Sequence, residues 1–477
     1  MKNFTHLKIK IVLAQIILYI CLFFSFNNKT FFIPIFLFAF YLFWLLEDWR
    51  QAAWLTLVAI LPFGWGLRDW RIEIPLPFNF LPFGKEAPFF HFALSAKFLI
   101  SIFLLFTLIF RDKKISFRKE DFFLFLFFLL GLISLSLSGS FSLGLISYFN
   151  IFQGIILYFL ARYFLVDKNL FKLTIYYLLI LGIFEGFLAT SQFLLRRPLG
   201  KIIEESLLVA PYGKTAAEDI FTFRATGSFS SPNTMAIFWL IVIPLILSQV
   251  IYKYPLIKNK ILLSISFLGG IVGLIFTFSR AAWGIFFLGT ISFVYFLIKR
   301  KLFSIRYKYL FLIALAGFLA WLPFLIRRIL NFHYYLWGEY SSGMARIHLI
   351  QETWGIIRQR PFFGVGPGNF LPAMATNNFT GVATHFLYPV HNLYLLFASE
   401  LGLLALASFL IFLILVLKES LSLKAGGREW RGIKWGILSG IFAYLIAVLV
   451  YTGIGVNLEL FFLFLGALAI YESKTNK

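Results

Sequence analysis

Residues 261–298 read ILLSISFLGGIVGLIFTFSRAAWGIFFLGTISFVYFLI, and they indicate the kind of fold more directly than any other part of the chain. They contain two apolar runs, 261–279 and 281–298, each long enough to cross about 30 Å of hydrocarbon as a helix. Arg280 separates the runs and is the only charged residue among them. Such runs with almost no loop between them predict a pair of transmembrane helices.

The same pattern recurs along the whole chain. Of the 477 residues, 60% are hydrophobic and 13% are charged, and the mean hydropathy is +0.87. A soluble protein of this length has too little interior to bury so much apolar surface. The sequence therefore predicts an all-α, polytopic transmembrane protein with about 12–14 spans. The candidate spans are 11–26, 31–46, 52–67, 93–110, 122–138, 146–163, 173–194, 234–252, 261–279, 281–298, 309–326, 391–417, 435–453 and 457–472.

The net charge of +22 is spread over short basic clusters between the apolar stretches, for example at 111–114, 299–301 and 424–434. This distribution excludes a nucleic-acid-binding domain and is typical of the positive-inside rule. It predicts a multi-pass plasma-membrane (inner-membrane) protein with both termini in the cytoplasm. The loops 195–233 and 327–390 are expected on the outer, periplasmic side. The basic N-terminus is not followed by a small-residue cleavage site, so we expect an uncleaved first span.

These assignments divide the chain into five parts. The short span at 52–67 contains Pro62 and Gly64, so a re-entrant segment that does not cross the membrane is an alternative interpretation for it. The parts are an N-terminal transmembrane region (1–194), an extracytoplasmic loop (195–233), a transmembrane region with a Ser-Arg motif (234–326), a large extracytoplasmic loop (327–390) and a C-terminal transmembrane region (391–477).

Chemistry on the outer side has to use a substrate that arrives already activated, because ATP is absent there. The sequence also contains no Walker-type Gly-x4-Gly-Lys-Ser/Thr string. Its single cysteine, Cys21, lies in the first span, and its six histidines lack metal-ligand spacing. No disulfide, metal site or cofactor is therefore expected.

Two arginines stand at predicted outer ends of spans. Arg224 begins the polar string Arg-Ala-Thr-Gly-Ser-Phe-Ser-Ser-Pro-Asn, in which Ser231 and Asn233 are good helix-cap residues. A guanidinium group can clamp a phosphate, although an arginine this close to the bilayer can also snorkel harmlessly. Arg280 is a charge at membrane depth, which usually marks a pathway or a site. The alternative for Arg280 is an interfacial stop signal, with Trp283 as an aromatic anchor.

The large loop is predicted to contain an interfacial helix. Ile347, Ile350, Trp354 and Ile357 recur at spacings of three, four and three, which places them on one helix face. This pattern is typical of a helix that lies flat in the membrane interface in contact with lipid. Arg346 lies at the start of the helix and is a candidate third cation for a bound anion.

Glycines and a histidine follow this helix. The string Arg360-Pro-Phe-Phe-Gly-Val-Gly-Pro-Gly-Asn-Phe370 predicts a tight turn whose backbone approaches its neighbours closely. His391 and Asn392 stand where the next span begins. An imidazole accepts a proton near neutral pH, so His391 is a candidate general base. The alternative is a polar residue at the interface without a catalytic role.

Three strings occur in the order seen in the O-antigen ligase/polymerase superfamily of bacterial membrane glycosyltransferases, which the chain resembles. They are Ser279-Arg280, the glycine-rich string at 360–370, and His391-Asn392-x9-Gly402. The resemblance is concentrated in the region 220–420. Ala405 stands where the ligase pattern has Gly, Thr or Tyr, which favours the wider superfamily over the ligases in particular.

The resemblance implies a function and roles for the candidate residues. The function is inverting, metal-independent transfer of a glycan from a polyprenyl (undecaprenyl) diphosphate to an acceptor hydroxyl, in the biosynthesis of cell-surface polysaccharide or lipopolysaccharide. His391 would be the catalytic base, and Arg224 and Arg280 would hold the diphosphate. Arg346 and Asn392 would be further substrate-binding residues. The implied partners are the lipid-linked glycan donor, a glycan or lipid A-core acceptor and membrane lipids.

Two alternatives stay open at this point. A polymerase of the same superfamily would extend a lipid-linked chain by the same chemistry. A transporter or flippase for a lipid-linked glycan or a solute would use charged residues inside the membrane, and Lys97, Glu185 and Glu400 lie within predicted spans. These three residues are equally compatible with polar contacts that join helices.

Overall fold

The structure of the protein is a computed structural model, which describes residues 2–25, 32–63, 96–112, 117–200, 223–302, 326, 342–384, 388–422, 428–453 and 455–470. Sixteen α-helices and no strand lie in these residues. The helices are α1 (Lys2–Phe23), α2 (Phe32–Leu46), α3 (Trp49–Ala59), α4 (Ala96–Thr107), α5 (Lys119–Ser136), α6 (Phe141–Phe164), α7 (Lys168–Leu195), α8 (Pro232–Ile251), α9 (Lys260–Phe276), α10 (Arg280–Lys299), α11 (Ser342–Gln359), α12 (Phe370–Asn377), α13 (Leu393–Glu400), α14 (Leu403–Ser422), α15 (Arg428–Ala447) and α16 (Val456–Ala469).

The predicted all-α, polytopic fold class is confirmed. Of the 14 predicted spans, 13 overlap a described α-helix. The remaining span, at 309–326, lies outside the described residues apart from its last position. Among the described helices, five are long and apolar enough to cross a membrane, judged by length and composition, namely α6, α7, α8, α10 and α14. The number of spans, their sidedness and the division into five parts stay predictions.

α8 forms the centre of the helical bundle. Its N-terminus is capped by Ser231, whose Oγ accepts a hydrogen bond from the backbone N–H of Thr234 at 3.1 Å, as the sequence predicts. The helix packs most extensively against α15 and α9. On the α9 side the indole of Trp239 lies where a side chain on Gly273 would stand. Small residues that face large ones allow the close approach by which helices associate in membranes.

The predicted span at 391–417 is not one helix, and this prediction was wrong. α13 ends at Glu400 and α14 begins at Leu403, with Gly402 between them at a φ of +89°. A Cβ at Gly402 would overlap the carbonyl oxygen of Phe362. The helix breaks here because the glycine-rich string of the large loop packs against its backbone.

A second, smaller apolar core lies beside the main one and holds the large loop together. It joins α11 and α12 to the beginning of α13, and so fixes the N-terminal half of α11 near the start of that helix. Its buried members are Ala345, Leu349, Ile356, Phe370, Leu371, Met374, Val382, Ala383, Val390 and Leu396.

The expected helix in the large loop is α11, and three of its four predicted surface residues are exposed. Ile347, Ile350 and Trp354 are 49%, 39% and 50% exposed, whereas Ile357 is 3% exposed. The prediction for Ile357 was wrong because ten residues rotate an α-helix by about 1000°, which leaves Ile357 about 80° away from Ile347. An interfacial position of the remaining apolar face stays a prediction.

Candidate functional site

Arg224 lies in a non-helical segment that leads into α8, and its side chain reaches the turn between α9 and α10. Its Nε donates a hydrogen bond to the carbonyl oxygen of Thr277 at 2.8 Å, and its Nη2 donates to Oδ1 of Asn233 at 2.8 Å. The backbone N–H of Ala225 donates to Phe276 O at 2.9 Å. These contacts bring Arg224 to the turn that carries Ser279 and Arg280.

Arg280 is the first residue of α10, directly after that turn. The turn is tight, with Phe278 in the left-handed region at a φ of +49°. It is held by Trp283, whose Nε1 donates to Leu274 O at 3.0 Å. Trp283 therefore stabilises the turn that presents Arg280. The anchoring role, which belongs to the alternative interpretation of Arg280, stays a prediction.

Tyr451 is a site residue that the sequence analysis missed. Its hydroxyl is hydrogen-bonded to Oγ of Ser279, and both residues are buried, at 4% and 3% exposed. In the sequence Tyr451 is one of many aromatic residues at the end of a predicted span. Its only signal there is that a tyrosine hydroxyl needs a polar partner when it is buried.

The segment 448–451, which contains Tyr451 and follows α15, also contacts the start of α13. The backbone N–H of Leu393 donates to Val448 O at 2.9 Å, and Nδ2 of Asn392 donates to Leu449 O at 3.2 Å. One segment of four residues thus contacts the turn before Arg280 and the residues that follow His391. The structure brings together motifs that are far apart in the sequence.

His391 precedes α13 and is partly buried. Burial, followed by the positive charge of Arg346, lowers the pKa of His391 from 6.5 to about 4, although the carbonyl oxygen of Pro389 acts in the opposite direction. The imidazole is therefore neutral at pH 7. Its Nδ1 lies 3.1 Å from Pro389 O, and a carbonyl can only accept, so Nδ1 carries the hydrogen. Nε2 then holds the lone pair that a general base requires.

Arg346 lies in the first turns of α11 and acts electrostatically on His391. The second core places it there, because α11 packs on α13. The predicted third cation thus lies close enough to the predicted base to act on its charge. A cation in this position favours the unprotonated imidazole and is available to attract an anionic substrate.

Residues 265–410 match the family model described as O-Antigen ligase. We call this matched stretch the O-antigen ligase domain, after the family to which it is similar. Over this region the resemblance to the O-antigen ligase superfamily is confirmed, and members of the family are glycosyltransferase-like membrane enzymes. Together with its apolar helices, the domain makes the chain an integral membrane protein. No curated protein matches the sequence.

The O-antigen ligase domain contains Arg280, Arg346, His391 and Asn392, whereas Arg224 precedes it. Asn392 caps α13, because its Oδ1 accepts from the backbone N–H of Leu395 at 3.0 Å while its Nδ2 donates to Leu449 O. The oxygen and the nitrogen of the Asn392 side chain thus both stabilise the start of the helix that follows His391. A direct contact of Asn392 with substrate stays a prediction.

The glycine-rich string of the ligase domain packs against the break between α13 and α14. The N–H groups of Val365 and Gly366 donate to the carbonyls of Ser399 and Glu400 at 3.0 and 2.9 Å, and the N–H of Leu403 donates to Pro361 O at 2.8 Å. The string uses its glycines for this close approach, at which a Cβ on Gly364 would overlap Glu400 O. Its contacts support the far end of α13, one helix length from His391.

The charged residues within predicted spans bond to neighbouring segments. Lys97 forms a buried ion pair with Glu459 at 2.9 Å between α4 and α16. Glu185 accepts from Ser228, and Glu400 accepts from the backbone N–H of Phe370 at 3.3 Å. These contacts agree with the interpretation that the three residues join helices and loops, and they favour it over a role in transport.

Proposed function

We propose that the protein transfers a glycan from a polyprenyl diphosphate to an acceptor hydroxyl on the outer face of the plasma membrane, by a single inverting displacement that needs no metal ion. The observation that carries this proposal is the contact path from Arg224 and Arg280 to His391. It runs from Thr277 and Ser279 through the segment 448–451 to Asn392. The two arginines that would bind the leaving diphosphate and the neutral histidine that would act as the base thus belong to one connected set of contacts.

The residues suit the chemistry of such a transfer. The bond between the anomeric carbon and the phosphate oxygen breaks, and the lipid diphosphate leaves with the electron pair. Arg224 and Arg280 would neutralise the charge that grows on the diphosphate, and the planar guanidinium fork fits phosphate oxygens. The acceptor oxygen attacks the opposite face of the anomeric carbon and gives its proton to Nε2 of His391. The sugar configuration inverts because there is one displacement.

The outer-face location of the proposed reaction rests on the distribution of basic residues along the sequence. Both candidate loops, at 195–233 and 327–390, fall on one side of the membrane in that assignment. A lipid-linked donor is already activated, so the transfer proceeds without a nucleotide on that side.

The test uses purified full-length protein in liposomes with a lipid-linked oligosaccharide as donor. Lipid A core and a second lipid-linked repeat are supplied separately as acceptors, which distinguishes a ligase from a polymerase. We expect a new glycosidic bond of inverted configuration with one of them, measured by mass spectrometry and NMR. Movement of the donor across the bilayer without any new bond would instead support a transporter.

His391→Ala should lower the transfer rate by about 10²- to 10⁴-fold, the range for loss of a general base. His348→Ala is the matched control, since His348 lies in the same domain on α11 and bonds only Gln351 among the described side chains. The control should keep its activity. Unchanged transfer by correctly folded His391→Ala protein would contradict the catalytic role.

A further inference from the structure

α7 carries two polar side chains at full burial, Glu185 and Gln192, and both are 0% exposed. They are seven residues apart, which is about two helical turns, so they share one face of the helix. A polar group in an apolar helix is costly unless it is hydrogen-bonded. Both side chains meet this requirement on the same partner, the non-helical segment 226–228.

Gln192 binds the backbone of this segment at three points. Its Oε1 accepts from the N–H groups of Thr226 and Gly227 at 2.9 and 2.8 Å, and its Nε2 donates to Gly227 O at 2.8 Å. Glu185 binds the next residue, accepting from the N–H of Ser228 at 3.0 Å and from its Oγ at 2.6 Å. Side chains of α7 therefore supply hydrogen-bond partners for the backbone of 226–228, which is in neither a helix nor a strand.

The approach of the segment to α7 requires a glycine. Gly227 has a φ of +58°, and a Cβ there would overlap Oε2 of Glu185. The residue that precedes the segment, Ala225, donates its backbone N–H to Phe276 O at the end of α9. The backbone next to Arg224 is thus fixed between α7 and the end of α9.

We propose that Gln192, supported by Glu185, is a positioning residue that sets the place of the Arg224 guanidinium beside the α9–α10 turn. The inference rests on the proposed function, in which Arg224 binds the donor diphosphate. Gln192 acts through the backbone and does not touch substrate. α7 precedes the region 265–410, so the N-terminal half of the chain contributes to the site of the ligase domain.

The first experiment compares Gln192→Met with wild-type protein in the liposome transfer assay. Methionine keeps the approximate volume and removes the three hydrogen bonds. We expect the KM for the lipid-linked donor to rise by about tenfold, because the backbone next to Arg224 loses the three hydrogen bonds that hold it in place, while the KM for the acceptor stays unchanged. Ser228→Ala removes only the hydroxyl bond to Glu185 and keeps the backbone bonds of Gln192, so it should raise the donor KM less.

Gln15→Met is the matched control. Gln15 is also 0% exposed, and its Nε2 donates to Tyr177 O of the same helix at 3.0 Å. The control removes a buried glutamine that bonds α7 without affecting the Arg224 segment. It should lower the thermal unfolding temperature in detergent about as much as Gln192→Met and leave the donor KM at the wild-type value. An equal rise of the donor KM in both variants would overturn the positioning role.

A double-mutant cycle with Arg224→Ala separates positioning from general damage. If Gln192 acts through Arg224, the double variant should have the same donor KM as Arg224→Ala alone. Additive effects would overturn the inference and leave the proposed function intact. A donor KM that is unchanged in Arg224→Ala itself would overturn the role of Arg224, and the positioning role with it.

Discussion

The base side of the site and its cation side are built in different ways. His391 and Asn392 belong to one short string, and the helix that follows them is held by the second core and by the segment after α15. Arg224 and Arg280 come from separate segments, and Arg224 binds Thr277 O in the turn just before Arg280. The base side is local in sequence, whereas the cation side depends on contacts between α7, α9 and the chain before α8.

This difference in construction predicts which changes affect the activity of each side. The base side works through the protonation state of one imidazole, so it should respond to pH and to nearby charge. The cation side works through the placement of two guanidinium groups, so it should respond to hydrogen-bond geometry. Kinetic measurements on matched variants test whether the two sides respond to different changes in this way.

After the loss of the base itself in His391→Ala, the largest effect is expected on the cation side, from Arg224→Lys and Arg280→Lys. Lysine keeps the charge and loses the planar fork, so kcat/KM for the lipid-linked donor should fall by about 10- to 100-fold. The pH dependence should stay as in the wild-type protein. Arg358→Lys on the exposed face of α11 is the control. Unchanged apparent affinity for the donor in both site variants would contradict diphosphate binding.

The next effect concerns the support of the base side by the glycine-rich string. Gly402→Ala should reduce the free energy of unfolding by about 1–3 kcal/mol from backbone strain at positive φ, and further because the Cβ overlaps Phe362 O. Gly381→Ala is the matched control, since Gly381 has a φ of +72° and open space around its Cβ position. Thermal unfolding in detergent measures both. Equal losses would show that packing at the α13–α14 break contributes nothing.

A smaller effect is expected on the pH profile of the base side. The pKa of His391 is lowered to about 4, so kcat/KM should be constant above that value and fall as the pH drops through it. Arg346→Gln removes one of the causes, so the acidic limb should move to higher pH. The shift should be partial, because burial is the larger cause.

The control for this profile is Arg358→Gln, which changes the net charge equally on the same helix. It should leave the acidic limb in place. A limb that moves equally in both variants would indicate a general charge effect, and a limb that does not move in Arg346→Gln would contradict the coupling to His391.

The smallest effect is expected for Tyr451→Phe, which removes the hydrogen bond between the two sides. Loss of one hydrogen bond between neutral groups corresponds to about 0.5–1.5 kcal/mol, so kcat/KM should fall by about two- to tenfold. Tyr148→Phe is the control, since it removes a buried tyrosine hydroxyl that bonds Phe128 O between α6 and α5. An unchanged rate in Tyr451→Phe would mean that the two sides are held together by the backbone contacts alone.

Two helices show why part of this structure was predictable and part was not. α8 and α10 each have 20 residues and are similarly apolar, yet an 18-residue stretch of α8 is 89% buried and that of α10 is 17% buried. Hydropathy predicted both as spans. It does not distinguish them, because lipid tails and a protein interior are equally apolar. Their positions follow from packing, such as the fit of Trp239 of α8 against Gly273.

By itself the sequence determined the helical membrane architecture, the cap at Ser231 and the candidate residues His391, Arg280 and Arg346, because these depend on local composition and on spacing. Only the tertiary structure decided the break at Gly402, the burial of Ile357, the meeting of Arg224 with the α9–α10 turn and the parts played by Gln192 and Tyr451. These features are hydrogen bonds and close contacts between segments far apart in the chain. The buried Gln192 carries no mark of its partner in the sequence, since its partners are backbone groups that any residue supplies. The partner of Tyr451 is the hydroxyl of Ser279, one of many serines in a segment far away in the chain.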